Sequence, residues 1–386
     1  MIKMKKITND IYHVGVNDRT IDLFESQYPV PNGMAYNSYI VKDEKTAVFD
    51  TVEMHFTDEW FKNIEEVLGN TAPDYLIIQH MEPDHSANIM NFVKKYPTAK
   101  LVGNAKSFKF MEQFFGDSLS DRQIIVKDGD TLSLGKHALK FIFAPMVHWP
   151  EVMVTFDMTD KVLFSADAFG KFGASDADEE WLDEARRYYI GIVGKYGMQV
   201  QSLLKKASEL EINKICSLHG PVIESNIDEV IEKYNIWSSY GVEKEGVVIC
   251  YTSVYSHTKQ AVKLLESKLA ESGIEVKTYD LARDMKSSAV ADAFSYGKIV
   301  LASTTYNNEI FPPMREFIAE LKERGFKNRT VGIIENGSWA PQVAKIIKQE
   351  LEGCKDITFC ENTVTLKSAL NDESRAQIDS LAEELK

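Results

Sequence analysis

The first half of the chain sets short apolar runs between polar stretches. Tyr39-Ile40-Val41 and Ala47-Val48-Phe49 flank Lys42-Asp43-Glu44-Lys45, which is the spacing of a hairpin. Residues 58–68 repeat apolar positions at helical spacing and lead into Tyr75-Leu76-Ile77-Ile78, a run that reads as a buried strand. Leu101-Val102, Phe141-Ile142-Phe143, Val152-Met153-Val154 and Val162-Leu163-Phe164 continue the strand pattern. A helical stretch is predicted over about 178–210, then a short strand at Lys214-Ile215-Cys216. Strands with interspersed helices predict a layered α+β or α/β sandwich.

The texture changes at 243–246, and a clean alternation follows. Strands are predicted at 247–251, 275–279, 298–302, 330–334 and 357–359. Helices are predicted at 256–272, 285–296, 312–324, 341–352 and near 373–385. Five β/α units with short connections predict a doubly wound five-stranded parallel sheet. The expected domains are 1–244 and 245–386.

Composition narrows the function classes. The 386 residues predict two or three domains of ordinary size. The 58 acidic residues outnumber the 44 basic ones, for a net charge of −14. That argues against nucleic-acid binding, which needs basic phosphate contacts. The 4 cysteines show no C-x-x-C spacing, so disulfide scaffolds, zinc ribbons and cysteine-ligated iron–sulfur clusters are poorly supported. The charged start, Met1-Ile2-Lys3-Met4-Lys5-Lys6, is unlike a secretory signal, and no apolar run approaches a membrane span. The expected location is the cytoplasm, with no membrane or nucleic-acid partner.

One segment is dense in metal-ligand chemistry. Gln79-His80-Met81-Glu82-Pro83-Asp84-His85-Ser86 puts two imidazoles and two carboxylates at a strand end, where alternating geometry would aim them at two adjacent cations. His148, Asp167 and His219 also follow predicted strands, in loops where functional side chains are commonly displayed. Singly, each is more simply a turn residue. Together, seven donors in this order are hard to explain as packing. His13, His55, His137 and His257 receive no metal role.

A second constellation sits in the β/α half. Thr252, Ser253, Val254, Tyr255, Ser256, His257 and Thr258 lead from its first strand into a helix, and hydroxyls with backbone N–H groups at a helix N-terminus make an anion site. It is not a Walker A loop, and no G-x-G-x-x-G occurs. Taken alone, the loop could be no more than a helix cap. Thr304, Thr305, Tyr306, Asn307 and Asn308 follow the third strand, and Asn336, Gly337, Ser338 and Trp339 follow the fourth. These are the strand ends at which an open α/β sheet binds its ligand, and Tyr and Trp can stack on a planar ring.

The cluster resembles the metallo-β-lactamase-like domain, with Glu82 where its zinc hydrolases carry His. A set of four His and three carboxylates suits iron better than zinc. The whole chain, domain order included, is similar to the flavodiiron proteins (A-type flavoproteins). The fold this implies is an N-terminal αββα metallo-β-lactamase-like sandwich and a C-terminal flavodoxin-like domain. The resemblance implies His80, Glu82 and His148 on one iron, Asp84, His85 and His219 on the other, and Asp167 bridging. It implies a shortened loop at 174–178. The flavodoxin likeness implies FMN, its phosphate held by Thr252, Ser253, Ser256 and Thr258 and its ring flanked by Tyr306, Asn307, Asn308, Gly337, Ser338 and Trp339. Outer groups such as Trp149 would orient the ligands.

The implied activity is reduction of O2 to water, of NO to N2O, or both. Electrons would pass through FMN from an external donor such as rubredoxin, since no cysteine-rich segment is fused here. A head-to-tail homodimer, or a dimer of dimers, would bring flavin and iron together. Three alternatives remain: an oxidase of the same family fed by reduced F420, a zinc hydrolase with a regulatory second domain, and a non-enzymatic electron carrier or redox sensor. Iron content discriminates the hydrolase, and consumption of O2 or NO discriminates the carrier.

Overall fold

The computed structural model describes residues 5–117 and 119–386; residues 1–4, which open the charged start, lie outside the described residues. The chain forms two compact units. One comprises Met1–Tyr189 and Met198–Asn235, and the other Ile190–Gly197 and Ile236–Lys386. The texture change at 243–246 coincides with the start of the strand Lys244–Tyr251.

The first unit is a sandwich of two sheets. A seven-stranded sheet runs in the order Lys5–Lys6, Ile11–His13, Tyr39–Val41, Ala47–Phe49, Tyr75–Ile77, Lys100–Gly103, Gln123–Ile125. A five-stranded sheet runs Thr131–Ser133, Ala138–Phe143, Met153–Asp157, Val162–Phe164, Lys214–Cys216. Tyr39, Val41, Phe49, Tyr75, Ile77 and Val102 from one sheet meet Leu139, Phe141, Met153, Val162, Phe164 and Cys216 from the other in one buried core. At its centre Phe49 stacks on Phe164, with ring centroids 4.0 Å apart. Burial of each large apolar side chain stabilises the sandwich by roughly 1.5–3 kcal/mol. The central strands Tyr39–Val41, Ala47–Phe49, Tyr75–Ile77 and Val162–Phe164 are buried at every position because both faces are covered. For that reason the short runs, not an in–out alternation, are the legible signal.

Helices flank these layers. Thr57–Leu68 buries Trp60, Ile64, Val67 and Leu68, a single face at helical spacing. Asn104 caps Ala105–Phe115, accepting from the Lys106 and Ser107 N–H groups at 2.9 and 3.1 Å. The single helix expected over 178–210 is instead broken. An α-helix, Trp181–Tyr188, passes into a π-helical stretch, Tyr189–Val193, then a 3-10 turn at Gly194–Tyr196 and a new helix, Gly197–Ala207. Gly191, Gly194 and Gly197 weaken helical continuity there. At Gly197 a Cβ would lie 2.3 Å from the Ser238 carbonyl, so that close approach needs glycine.

The second unit is the expected doubly wound sheet, in the order Val276–Asp280, Lys244–Tyr251, Tyr296–Tyr306, Arg329–Asn336, Ile357–Leu366. All these pairs are parallel. A sixth, two-residue strand, Glu309–Ile310, folds back antiparallel on Tyr296–Tyr306. Asn307 and Asn308 make that turn at φ 52° and 60°, the pair of left-handed residues a tight hairpin requires. The last strand extends to Leu366, well beyond the predicted 357–359, because an irregularity in register lets polar Glu361 and Asn362 interrupt the apolar run without ending the strand. Among the described residues no helix is long and apolar enough to cross a membrane.

One polar knot in the first unit sets a pH dependence. His137 is buried, with Nδ1 3.1 Å from both Asp157 oxygens and Nε2 3.3 Å from Asp10 Oδ2. Burial alone would depress this imidazole, but Asp157 and Asp10 together raise it above its ordinary range. A raised native pKa gives stability that is complete below the unfolded value, about 6.5, and is lost as pH climbs through the native value. The stability difference between the wild type and His137→Asn is therefore predicted to shrink as pH rises from about 6 upward. Denaturant melts of both proteins across that range check it.

Candidate metal centre and flavin pocket

The seven sequence-predicted donors of the first unit converge at one end of the sandwich. His80 follows the strand Tyr75–Ile77. Glu82 stands at the N-cap of a one-turn helix, Pro83–Ser86, that carries Asp84 and His85 and has Pro83 at its first position. A strand end running into a helical turn therefore divides the cluster, and not the extended alternation the spacing suggested. His148 lies in the loop before Met153–Asp157, whose neighbour Val162–Phe164 delivers Asp167. Lys214–Cys216, parallel to Val162–Phe164, delivers His219 on an adjacent strand end.

Two donor groups result. His80, Glu82, His148 and Asp167 form one, and Asp84, His85 and His219 the other. In the first, His148 Nε2 is 3.0 Å from Glu82 Oε2 and 3.1 Å from Asp167 Oδ2, and His80 Nε2 is 3.3 Å from Glu82 Oε2. In the second, His85 Nε2 is 3.2 Å from Asp84 Oδ2 and 3.0 Å from His219 Nε2. Asp167 serves both. Its Oδ2 faces His148 and His80, and its Oδ1 lies 3.3 Å from His85 Nε2 and 3.8 Å from His219 Nε2.

The residues present fit two cations. Donors about 2.1 Å from a shared ion stand roughly 3 Å from one another, as these do. Both oxygens of Asp84 and Oδ1 of Asp167 are buried with no hydrogen-bond partner among the described residues. Orphaned buried carboxylate oxygens of that kind are costly unless a cation meets them. The charges respond accordingly. Burial and the neighbouring carboxylates push Asp84 up to about 7, while the surrounding imidazoles overcome burial and hold Asp167 well below the carboxylate range. Burial and His85 push His219 down to about 4, whereas Asp167 and Glu82 outweigh burial at His148 and raise it to about 9.

Surrounding groups fix the donors. Asp50 Oδ1 accepts the N–H groups of Gln79 and His80, at 2.8 and 3.2 Å. The His219 Nδ1 donates to the Ala35 carbonyl at 2.7 Å, leaving Nε2 bare toward the site. The Trp149 ring stands perpendicular to the His80 ring, with centroids 5.3 Å apart. Phe24 and Tyr188 pack on His219 at 5.4 and 5.5 Å, and Phe172 packs on both of them. The loop after Gly173 is pinned to the N-terminal strands, with Arg19 on Asp176 at 2.6 Å and Asn32 on Glu179 at 2.5 Å. Lys171 and Glu179 pair beneath it. Asp50 and Glu151 were missed by sequence reasoning; no local pattern marks a carboxylate whose partner is far along the chain.

In the second unit a cavity of about 500 Å³ opens at the C-terminal strand ends. Ser253, Val254, Tyr255, His257, Thr258, Thr304, Thr305, Tyr306, Asn307, Asn308, Asn336, Gly337, Ser338 and Trp339, all predicted, line it. Two further predicted residues do not. Thr252 is fully buried and shares a hydrogen bond of 2.8 Å with Ser303, and Ser256 turns the chain into the helix at φ 66°. Ala340 and Ser368 line the cavity without having been expected. Ser368 is reached through the last strand's unforeseen extension, and its Oγ bonds Ser338 Oγ at 2.7 Å. The helix His257–Glu271 starts here with no side-chain cap from Ser256, and the Lys259 N–H in its first turn donates to Ser253 Oγ at 3.3 Å, so the Ser253 hydroxyl and the helix N-terminus meet at one anion-binding position. Tyr255 and Trp339 are 85% and 90% exposed, which is costly for free aromatics and expected of platforms for a planar ring.

Comparison with known proteins identifies the family and the fold. Residues 34–220 match the family described as ODP family beta lactamase. An uncharacterized protein of Methanocaldococcus jannaschii is 32% identical over 325 residues, 83% of this chain and 82% of that protein. The nitric oxide reductase of Moorella thermoacetica is 28% identical over 90% of both chains. The flavodiiron protein of Giardia intestinalis superposes with TM-score 0.92 and 26% identity, covering 100% of this chain and 96% of that one. Rubredoxin oxygen:oxidoreductase of Desulfovibrio gigas gives TM-score 0.90 and 27% identity, covering 99% and 98%.

Gly170 offers a direct probe of the metal centre. A Cβ there would lie 2.9 Å from Ser217 Oγ and 3.3 Å from His219 Cβ. Gly170→Val is predicted to displace His219 and to lower metal content at least several-fold, while flavin content stays unchanged. Elemental and flavin analysis of the purified variant check it.

Proposed function

The chain belongs to the flavodiiron proteins, and on that premise we propose that it is an oxidoreductase reducing O2 to water, NO to N2O, or both. The single observation that carries this reading is Asp167, whose two oxygens address two separate His/carboxylate groups. We assign two non-haem irons to the first domain, 1–244, and FMN to the second, 245–386. His80, Glu82 and His148 would hold one iron, Asp84, His85 and His219 the other, with Asp167 between them.

When bound, FMN would supply one-electron transfer and two irons the capacity to reduce a diatomic by more than one electron. The chain's own residues do the rest. The hard carboxylates Glu82, Asp84 and Asp167 balance the ionic charge and favour iron over softer-liganded metals. The Ala35 carbonyl fixes the His219 tautomer, and Asp50 fixes the backbone that aims His80. Phe24, Phe172 and Tyr188 exclude water from the His219 side. Ser253 and Thr258, with the helix N-terminus, would hold the FMN phosphate, and Tyr306 and Trp339 would stack against its ring. Thr252 acts one step back, through Ser303.

The proposed electron donor is external to the chain, the protein rubredoxin being the first candidate and the reduced deazaflavin F420 the second. The proposed assembly is a head-to-tail homodimer, or a dimer of such dimers, in the cytoplasm. Stopped-flow reoxidation of the fully reduced protein by O2 and by NO, with rubredoxin as donor, tests the reading. Rapid reoxidation by at least one gas and two irons per chain are expected. Two zinc ions and no iron would refute it. Glu82→Ala and Asp167→Ala are each predicted to lose iron and at least about 100-fold in turnover while keeping FMN; full turnover in either contradicts the ligand assignment.

A further inference from the structure

We propose that Glu151 is a positioning residue that makes the two cation positions unequal, acting through His80 on one of them alone. The inference rests on the ligand set proposed above. Glu151 is 1% exposed, and its Oε1 accepts from His80 Nδ1 at 2.8 Å and from the Met81 N–H at 2.9 Å. Since Oε1 already accepts a backbone N–H, it presents lone pairs, so His80 donates from Nδ1. Nε2 is left bare, directed at Glu82 and Asp167. The other carboxylate oxygen, Oε2, is buried with no hydrogen-bond partner among the described residues. Its charge is not spent on another donor.

Among the described residues no carboxylate hydrogen-bonds an imidazole of the second group from behind. His219 donates Nδ1 to a neutral backbone carbonyl, that of Ala35, and His85 Nδ1 has no partner among the described residues. A carboxylate acceptor makes a charge-assisted bond about twice as strong as a neutral one and raises the basicity of the far nitrogen. The imidazole at the first position is therefore the stronger donor. It stabilises the higher charge state of its own cation and not that of its neighbour. The site is built for this role: the Glu151 carbonyl accepts from Asn104 Nδ2 at 2.5 Å, and Asn104 caps the helix Ala105–Phe115, so the carboxylate is anchored to a rigid element.

The test strips the metal from the holoenzyme by chelation, titrates iron(II) back anaerobically, and follows the reduction potential of the reconstituted iron centre by EPR. The wild type is expected to take two ions. Glu151→Gln, which keeps shape and removes charge, is expected to weaken one of the two by about 10–100-fold and leave the other unchanged. Its iron potential is expected to rise while the FMN potential stays put. Glu151→Asp, which keeps the charge, is expected to recover part of both effects. Wild-type affinity and potential in Glu151→Gln, or equal weakening of both ions, overturns the inference. If Glu151→Gln does not fold, Glu151→Asp must show the one-position weakening in smaller measure, and its absence overturns the inference. A wild type that takes up no pair of ions refutes the underlying ligand set instead.

Discussion

The structure of the first unit is organised by the burial of like charges. Glu82, Asp84 and Asp167 gather within the reach of one another in a space that admits little water, and Glu151 and Asp50 stand immediately behind. Three carboxylates cannot share such a site as bare anions. The mutual fields of these groups shift their proton affinities in opposite directions. Asp84 is pushed up to about 7 and His219 down to about 4, while His148 is raised to about 9 and Asp167 lies below its usual range. Two divalent ions remove that frustration at once, because each carboxylate then faces positive charge and each imidazole can be neutral. The fold accordingly concentrates loops from both sheets at one end of the sandwich, each held from behind. Asp50 fixes the Gln79–His80 backbone, and the Thr51 N–H and hydroxyl both bond the His85 carbonyl at 2.8 Å.

How much of this was legible depended on whether the signal was local. The six residues from His80 to His85 announce a metal site because their density has no packing explanation, and Asp167 and His219 follow strands whose apolar runs are plain. The layered sandwich and the alternating β/α half were legible for the same reason. Glu151 was not. It follows His148-Trp149-Pro150 as an ordinary loop residue, and its meaning comes from His80, 71 positions earlier. Asp50 is invisible in the same way. The broken helix of 178–210 shows a different limit: the pitch changes at Tyr189 and Gly194, and the close approach of Gly197 to the Ser238 carbonyl is a tertiary contact that no local pattern announces. Thr252 shows a third. A hydroxyl in the right loop is indistinguishable by sequence from one facing the ligand, and here alternation along the strand end turns it inward to Ser303.

The two sites use the backbone in opposite ways, and the difference follows from what each must hold. A metal centre needs donor atoms fixed to a few tenths of an ångström, so it draws on side chains in buried loops whose own hydrogen bonds are satisfied behind them. A flavin site needs a helix end, hydroxyls and planar surfaces around a ligand that stays accessible to an electron donor. Hence the αL turn at Asn307 and Asn308, the left-handed Ser256 at the helix start, and the outward Trp339 and Tyr255. Exposure that would be a liability in a core is a requirement there, since electrons must enter where protein does not seal the ring. The metal centre is under the contrary demand. Its imidazoles are buried, with Phe24 and Tyr188 against His219 and Trp149 against His80. An unequal pair of cation positions fits that division. If one ion is held more firmly and in a higher charge state, electrons arriving singly have a preferred first destination. The second ion, backed by neutral groups, would then be the easier of the two to reduce.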